Sequence, residues 1–377
     1  MKSFHDKFIC ILSLSMSILI SILLISGKQN DFSEEENRVL QTIKAKQIFT
    51  VDIFSLLNSF CSDQFPQRKA FLLLSSLANQ ALDMTEINGT IIAKDGYLIS
   101  RHDYTDLTVL ERNISSVKSF LEDISSKQIQ AKFMIAPRTV DVMASKLPSQ
   151  FPKSYGSYEY EIIKQNIKET ELINPLDYLK SCAENGEYVY YRTDHHWTTD
   201  GAYRAYEMLA ENLGISAYQK EYFNIQCVSK NFYGTSYSKA LLQDANPDEI
   251  YLYRYDSDEN ISVIYQNRSS SKSSFYDLSV ISKDQKDKYK VFLSGNTDLL
   301  LIRNENIELP RLLLIKDSFA NSIIPFLSLH YDIDVIDLRY YKSSVSDYIS
   351  ENNFDAVLLL YGVDTLCTNI SCSNILK

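Results

Sequence analysis

Three apolar runs of strand length in the last third of the chain constrain the fold most. They are RLLLIK (311–316), IDVIDL (333–338) and DAVLLLYG (355–362), and helical stretches at 319–330 and 343–352 separate them. Strands that are apolar at every position are buried on both faces, and their alternation with helices is typical of a parallel sheet. The sequence therefore predicts an α/β fold with a mostly parallel sheet, in which ligands bind at the carboxyl ends of the strands.

Upstream segments extend this pattern. The apolar runs KFMIAP (132–137) and VFLSG (291–295) predict further buried strands. Apolar residues recur every three or four positions over 110–124, which predicts a helix before the first of these strands. Residues 88–100, NGTIIAKDGYLIS, alternate β-branched residues around an Asp-Gly turn and predict a hairpin. The main α/β domain therefore begins near residue 88.

The first 28 residues differ from the rest of the chain. Lys2 and Lys7 lead into an uncharged, mostly apolar run over 9–26. About 18 such residues are the minimum for a membrane-spanning helix, and a positive start is typical of signal peptides and N-terminal anchors. We therefore expect a single N-terminal pass with the catalytic domain outside the cytoplasm, or a secreted protein if the segment is cleaved.

The sequence predicts three regions. Residues 1–28 form the signal peptide or membrane anchor, 29–87 a stalk with N-terminal helices, and 88–377 the main domain. Residues 218–285, which are rich in tyrosine, serine and asparagine, predict a β-rich insertion into that domain. The net charge of -10, from 38 basic and 48 acidic residues, argues against a nucleic-acid partner.

The segment YRTDHHWTTDGAY (191–203) concentrates residues with chemical function. It holds Asp194, two adjacent histidines and the single tryptophan of a chain that has 5 histidines. The preceding EYVYY (187–191) predicts a strand, and Thr198 or Thr199 is a suitable N-cap for the helix that follows. The histidines are therefore predicted to lie on a loop between a strand and a helix.

Two kinds of chemistry fit this loop. In an extended segment, residues two apart project to the same side, so Asp194 and His196 would face one site while His195 points away. This favours an acid–base pair in which Asp194 orients the imidazole of His196. A metal site would need all three side chains, and further carboxylates, to converge on one ion, which adjacent diverging side chains make difficult. No metal is therefore predicted.

A second motif supplies a nucleophile. In RLLLIKDSFANSII (311–324), a buried strand ends at Lys316, and Ser318 follows at the turn into a helix, where unpaired N–H groups can stabilise an oxyanion. A serine in this position could equally be a simple helix cap. Because a serine hydroxyl needs an imidazole to take its proton, the two motifs together predict Ser318 as nucleophile, His196 as base and Asp194 as the orienting acid.

Other residues are weaker candidates for contacts with substrate. Asn296, in SGNT, could donate to an oxyanion. Arg138 and Arg339 each follow a predicted strand and could contact an anionic group, although surface salt bridges are a commoner use of arginine. Trp197 and Tyr191 could stack on a sugar ring or simply pack beneath the loop.

These segments resemble a known family. YRTDHHWTTDGAYRAYEML and LLLIKDSFANSIIPFL, with FSEEENRVL, DQFPQR and INGTIIAKDGYLI upstream, are similar to DHHW proteins. That family is similar in turn to the SGNH hydrolase-like domain of the alginate O-acetyltransferase family. The resemblance implies an SGNH-like three-layer α/β/α fold and a triad that maps onto Ser318, His196 and Asp194. It also implies acetyl transfer to an exported polysaccharide beside a membrane-bound O-acyltransferase.

The sequence therefore predicts an extracytoplasmic serine acyltransferase or esterase that adds acetyl groups to, or removes them from, a cell-surface or exported polysaccharide. No cofactor is expected. The alternatives are a non-catalytic glycan-binding or cell-wall assembly protein and a metal-dependent phosphoesterase.

Overall fold

The structure is a computed structural model. It describes residues 8–376 except 17, 20, 21, 23–28, 34–37, 44–51, 103–106, 153–156, 257, 267–269, 273 and 284.

The strands of the described chain are β1 Phe32–Ser33, β2 Arg38–Val39, β3 Glu86–Ile87, β4 Thr90–Ile92, β5 Leu98–Ser100, β6 Gln130–Ala136, β7 Leu172–Ile173, β8 Asn224–Phe232, β9 Asp248–Arg254, β10 Ile261–Tyr265, β11 Ser270–Lys272, β12 Leu299–Asn304, β13 Arg311–Lys316, β14 Asp332–Ile336 and β15 Ala356–Gly362. The α-helices are α1 Ile53–Asp63, α2 Arg68–Ala81, α3 Leu107–Ser126, α4 Thr139–Val142, α5 Ser157–Asn166, α6 Leu176–Glu184, α7 Thr199–Leu213, α8 Thr235–Ala240, α9 Ser279–Ser282, α10 Ile324–Leu327, α11 Val345–Glu351 and α12 Val363–Thr368.

The largest sheet has 8 strands in the order β11-β10-β12-β14-β13-β15-β6-β7. The strands from β14 to β7 pair in parallel, whereas β12, β10 and β11 extend the sheet as antiparallel strands. The predicted α/β fold with a mostly parallel sheet is confirmed. The predicted strands 132–137, 311–316, 333–338 and 355–362 all lie in its parallel part.

This sheet is buried on both faces because successive side chains of a strand point in opposite directions. Leu312 and Leu314 of β13 lie in one hydrophobic core with apolar residues of α7. Leu313 and Ile315 lie in a second core with apolar residues of α3 and α11. Burial on both sides explains why β13 is apolar at nearly every position.

The parallel strands β13, β15 and β6 are neighbours, so their carboxyl ends meet at one edge of the sheet. Ser318 follows the first of these strands, Asp364 the second and Arg138 the third. The fold thereby brings together three polar residues that are far apart in the sequence.

Two predicted strands are not strands in the structure. Residues 291–295 follow a 3₁₀ turn at Lys288–Val291, and the positive φ angles of Leu293, Ser294 and Gly295, 58°, 56° and 91°, prevent an extended conformation. Residues 187–191 form only an isolated bridge between Tyr190 and Trp197. In both segments, burial produced the apolar pattern of a strand without strand pairing.

Outside the sheet core, the structure contains some of the predicted elements and differs from the prediction in others. The hairpin predicted at 88–100 is present, as β4 pairs antiparallel with β5. Within 218–285, β8 pairs with β9, while β10 and β11 join the main sheet. The helix predicted at 319–330 is a 3₁₀ turn, Ser318–Ser322, followed by the short helix α10.

The N-terminal segment predicted at 1–28 is described only at residues 8–16, 18, 19, 22. These residues are helical, and apolar side chains such as Ile11 and Leu14 are largely exposed. Among the described residues, no helix combines the length and the apolar character that a membrane crossing requires.

Candidate active site

The carboxylate of Asp194 lies on the loop that leads into α7, and both of its oxygens take part in hydrogen bonds. Its Oδ1 accepts from the backbone N–H of His196 at 3.0 Å and lies 2.6 Å from His196 Nδ1. Its Oδ2 accepts from the backbone N–H of Thr235 at 2.8 Å and from the Thr235 hydroxyl at 3.1 Å. Thr198 caps α7 by accepting from Gly201 N–H, which holds the end of this loop. The N-cap prediction is confirmed for Thr198.

His196 connects this carboxylate to the serine. Its Nε2 lies 2.8 Å from Ser318 Oγ, and its ring stacks on Tyr289 with 3.9 Å between ring centroids. Asp194 and His196 are buried, with 2% and 5% of their surfaces exposed, and Ser318 is half-buried. The structure thus brings together the three residues predicted as a triad, in the order Asp194, His196, Ser318.

The ionisation of Asp194 suits this arrangement. Burial alone would raise the pKa of the carboxyl group, but neighbouring His195 and His196 and the hydrogen bonds from His196 and Thr235 outweigh it. The pKa of Asp194 is therefore held well below its ordinary value. A carboxylate only accepts hydrogen bonds, so His196 Nδ1 carries a proton, and the unprotonated Nε2 can accept the proton of Ser318.

The turn that presents Ser318 is fixed by the preceding aspartate. Asp317 Oδ1 accepts from Phe319 N–H at 3.0 Å, and Oδ2 accepts from Gly362 N–H at 2.8 Å and from the Thr365 hydroxyl at 2.6 Å. These bonds tie the turn to the end of β15. They also occupy one of the helix-start N–H groups predicted to stabilise an oxyanion, that of Phe319.

The aromatic residues of the loop are buried rather than available to a ligand. Trp197 and Tyr191 have 0% and 1% of their surfaces exposed, so neither presents a ring face on which a sugar could stack in this structure. Instead, Trp197 Nε1 donates to Phe319 O at 3.0 Å and lies 2.9 Å from Ser322 Oγ. The indole joins the histidine loop to the serine turn.

His195 was predicted to point away from the site that Asp194 and His196 face, and this prediction is wrong. Residues 192–196 form a series of bends rather than an extended segment, so alternate side chains do not point to opposite sides. The rings of His195 and His196 lie 3.9 Å apart, and His195 Nδ1 is 2.6 Å from Thr235 Oγ1. The side chain of His195 is 38% exposed and faces a cleft.

Possible metal ligands converge in this loop. Asp194, His195 and His196 each offer a ligand atom within 4.8 Å of the others. However, each oxygen of Asp194 already takes part in two hydrogen bonds, and both ring nitrogens of His196 have partners. A metal ion would have to displace these bonds. The donor set therefore fits proton transfer better than metal binding.

A cleft opens beside the serine turn. Its narrow inner part is lined by His195, Phe319, Arg138 and Val363, among others, and it adjoins a wider part with a volume of about 740 Å³. His195 and His102 line both parts. The neighbours of the triad thus line a cleft of the size that binds small ligands.

Arg138 is the sequence-predicted arginine that reaches this cleft. It is only 4% exposed, and its Nε donates to Asp141 Oδ2 at 2.8 Å. Its two terminal nitrogens have no hydrogen-bond partner, although Glu159 Oε1 lies 3.5 Å from Nη1. Burial alone would lower the pKa of Arg138, but Asp141 outweighs it and raises the pKa, so the side chain stays charged.

Asn296 and Arg339 lie in a different cluster, around the buried Lys316. Lys316 Nζ donates to Asn296 Oδ1 and Asn321 Oδ1, both at 2.7 Å, and lies 3.9 Å from Asp337 Oδ2. Arg339 donates to both oxygens of Asp337, at 2.9 and 2.6 Å. Neither Asn296 nor Arg339 lines the cleft. The structure does not bring them to the triad.

The family model of the DHHW proteins matches residues 157–336, which include Asp194, His196 and Ser318. The resemblance to DHHW proteins that the sequence predicted is confirmed over these residues.

Solved structures share the fold of this chain. A DHHW family protein from Eubacterium siraeum is 22% identical, with 78% of this chain and 97% of that chain covered and a TM-score of 0.65. PatB1 of Bacillus cereus, solved with a sulfonyl adduct, is 21% identical, with 76% and 99% covered and a TM-score of 0.64. At these identities the likeness is one of fold.

A curated relative matches a shorter part of the chain. The probable alginate O-acetylase AlgJ of Pseudomonas fluorescens is 27% identical over 131 residues, which cover 33% of this chain. The match spans 33% of the length of that relative.

Three residues near the triad were not predicted from the sequence. Thr235 bonds Asp194, Tyr289 stacks on His196, and Gly234 lies so close to Asp194 that an added Cβ would be 2.2 Å from the Asp194 Cβ. The glycine followed by a hydroxyl residue was the one available signal, because such a pair permits close backbone approach and supplies a donor. Tyr289 carried no signal among the 26 tyrosines of the chain.

Proposed function

We propose that this protein is an extracytoplasmic serine acyltransferase or esterase with an SGNH-like α/β/α fold. It transfers acetyl groups to a cell-surface or exported polysaccharide, or removes them. The observation that carries the proposal is the continuous hydrogen-bond chain from Asp194 through His196 to Ser318. The similarity to the probable alginate O-acetylase supports the substrate class.

In the first half-reaction, Ser318 Oγ attacks the carbonyl carbon of an acetyl donor while His196 Nε2 takes the hydroxyl proton. The tetrahedral intermediate then collapses, and His196 returns the proton to the leaving group, so that an acetyl ester remains on Ser318. Asp194 holds the imidazole in the required tautomer and stabilises its positive charge. The stacked ring of Tyr289 limits rotation of the imidazole.

In the second half-reaction, a sugar hydroxyl attacks the acetyl ester and gives its proton to His196 Nε2. Ser318 Oγ leaves and recovers that proton, which restores the starting state. Water can take the place of the sugar hydroxyl, and the protein then acts as an esterase. Every bond and proton in this cycle is accounted for by the three side chains, so the proposal requires no cofactor.

Arg138 supplies positive charge at the inner wall of the cleft. Phe319 N–H is held by Asp317, so other donors must bind the oxyanion of the tetrahedral intermediate. The terminal nitrogens of Arg138 make no hydrogen bond and are buried behind the wall that also contains Phe319. We assign them to the oxyanion or to an adjacent oxygen of the acetyl donor.

The same proposal includes the setting of the reaction. The positive start and apolar run of the N-terminal segment support attachment to the membrane with the main domain outside the cytoplasm. An acetyl donor on that side must be delivered across the membrane, which a membrane-bound O-acyltransferase would do. The partners are therefore this acyltransferase, the membrane and a polysaccharide.

The decisive experiment is covalent labelling of the full-length protein. Incubation with a small activated acetyl ester should add one acetyl group to Ser318, detected by mass spectrometry of peptides. A sulfonyl fluoride should modify the same residue, as the sulfonyl adduct of PatB1 suggests. The variants Ser318→Ala and His196→Ala should lose turnover of the ester by roughly 10³-fold or more because triad residues act as a unit.

The labelling experiment also separates the alternatives. A wild-type serine that stays unmodified by every donor, in a protein that still binds polysaccharide after Ser318→Ala, would identify a non-catalytic glycan-binding protein. Activity that disappears with a chelator and returns with a divalent cation would identify a metal-dependent enzyme. Either result would overturn the proposed function.

A further inference from the structure

We infer that His195 is an acceptor-binding residue, whose Nε2 receives a hydrogen bond from a second hydroxyl of the acyl acceptor. The preferred acceptor is then a vicinal diol, in which one hydroxyl attacks the acyl group and its neighbour bonds to His195. This inference rests on the proposed function because it concerns the second half-reaction at the same site. The tautomer, the charge and the position of His195 support it.

The tautomer follows from the shared carboxylate. Thr235 Oγ1 lies 3.1 Å from Asp194 Oδ2 and 2.6 Å from His195 Nδ1. The carboxylate has no proton to donate, so the hydroxyl proton of Thr235 must point to Asp194, since two bare oxygens at this distance would repel each other. His195 Nδ1 must then donate to Thr235 Oγ1. As a result, His195 Nε2 carries no proton.

One carboxylate therefore sets the tautomers of two imidazoles. Asp194 acts on His196 directly through Oδ1 and on His195 through Thr235 and Oδ2. In both rings Nδ1 is the donor and Nε2 is the acceptor. Ser318 Oγ lies against Nε2 of His196, whereas no hydrogen-bond partner of His195 Nε2 is found among the described residues.

His195 also stays neutral, so that its Nε2 remains an acceptor. Desolvation in the cleft wall, which disfavours the protonated ring, lowers the pKa of His195 to about 4. Above this pH the ring is unprotonated at Nε2. A neutral imidazole nitrogen accepts a hydrogen bond from a hydroxyl and does not attract an anion or a carbonyl oxygen.

The position of His195 points to the acceptor rather than to the acetyl donor. Its ring lies beside that of His196 and lines both the inner and the wider part of the cleft. The side chain is 38% exposed, compared with 7% for His196. An incoming alcohol therefore meets His195 on its way to the acyl group. Two adjacent imidazole acceptors match two adjacent hydroxyl donors.

The test compares two small acceptors that differ in one hydroxyl, trans-1,2-cyclohexanediol and cyclohexanol. Full-length protein is acetylated with a small activated ester, and the ratio of acetylated alcohol to acetate is measured at equal alcohol concentrations. Wild type should favour the diol by about tenfold over cyclohexanol, the effect of one hydrogen bond. His195→Phe, which keeps a flat ring but has no acceptor, should reduce this preference to about twofold, the ratio of the numbers of hydroxyl groups in the two alcohols.

The matched control is His330→Phe, because His330 bonds the Tyr206 hydroxyl and lines neither part of the cleft. This variant should keep the preference for the diol. An unchanged preference in His195→Phe would overturn the inference, and so would a wild type that is acylated on Ser318 but transfers to both alcohols equally or to neither.

Nuclear magnetic resonance of the imidazole nitrogens gives a readout that does not depend on turnover. In the free wild-type protein, the ¹⁵N shifts of His195 should identify Nδ1 as protonated and Nε2 as unprotonated. Addition of the diol should shift the His195 Nε2 signal more than cyclohexanol does. If Ser318 is never acylated, the proposed function fails, and this measurement alone then decides the inference: no selective shift overturns it.

Discussion

Two buried cations lie near the same edge of the sheet, and their surroundings differ. Lys316, at the end of β13, has two amide oxygens at 2.7 Å and a carboxylate at 3.9 Å. Arg138, just after β6, bonds Asp141 through Nε. Its terminal nitrogens make no hydrogen bond, although Nη1 lies 3.5 Å from a carboxylate oxygen of Glu159 and 3.9 Å from one of Asp364. They are 1% and 4% exposed, respectively.

The difference separates a structural charge from a functional one. A buried polar group without a partner costs free energy, so a fold keeps it only where something else compensates. Lys316 links Asn321, on the serine turn, to Asn296, so its hydrogen bonds have a structural role. We propose that the terminal donors of Arg138, which make no hydrogen bond, are kept for a ligand in the cleft.

The largest effect should come from removing the structural cation. Lys316→Met leaves the Asn321 oxygen unpaired, and we expect the free energy of unfolding to fall by about 3 kcal/mol. Urea denaturation measures this change. Ester turnover per folded molecule should change less than tenfold. Unaltered stability with a large loss of turnover would reverse the roles assigned to the two cations.

Arg138→Lys should give the opposite result. The charge beside Asp141 remains, so stability should change by less than about 1 kcal/mol, but the fork of terminal N–H donors is lost. Acylation of Ser318 should slow by about 10²-fold, which is typical for loss of an oxyanion donor. Arg339→Lys is the matched control, since Arg339 is bonded to Asp337 outside the cleft, and it should acylate at nearly the wild-type rate.

The region around Arg138 should also respond to pH. Hydrogen bonds from His102 to Asp364 and Glu159 raise the pKa of His102 to about 9. Because folding raises this pKa, protonated His102 stabilises the folded state fully below pH 6.5, the ordinary pKa of histidine. This stabilisation is lost as the pH rises through 9. We expect a decrease of about 2 kcal/mol in the free energy of unfolding over this range. His102→Gln should flatten the profile, and an equally steep profile would exclude His102 as its cause.

The smallest effect is expected at the triad. As in the Lys316 cluster, the polar side-chain atoms of the triad take part in hydrogen bonds. Thr235→Val removes one of the two hydrogen bonds at Asp194 Oδ2, and turnover should fall by about tenfold. Thr235→Ser keeps the hydroxyl and should retain most of the turnover. Equal turnover in the two variants would mean that the backbone N–H of Thr235 is sufficient to hold the carboxylate.

The sequence predicts the sheet core better than the segments around it. RLLLIK and DAVLLLYG are β-strands because they are buried on both faces, which leaves an unbroken apolar run. VFLSG has the same run but lies in a buried turn with positive φ angles. Apolar composition reports burial, and it cannot separate a buried strand from a buried turn.

At the site, chemical requirements identified the residues, whereas sequence spacing did not predict how the side chains are oriented. The need of a serine for an imidazole, and of an imidazole for an acceptor, joined Ser318, His196 and Asp194 across 122 positions of sequence. The orientation of His195 depended on a series of bends, which no periodic pattern predicts. Thr235 reaches Asp194 across 41 positions, and this contact depends on how irregular segments pack.

The indole of Trp197 gives the protein an internal optical probe. It is the single tryptophan of the chain, and it is bonded to the turn that carries Ser318. Tryptophan emission during unfolding will therefore follow the separation of the histidine loop from the serine turn, whereas circular dichroism follows the helices and sheets. A red shift that precedes the loss of ellipticity would mean that the histidine loop and the serine turn separate while most of the fold persists.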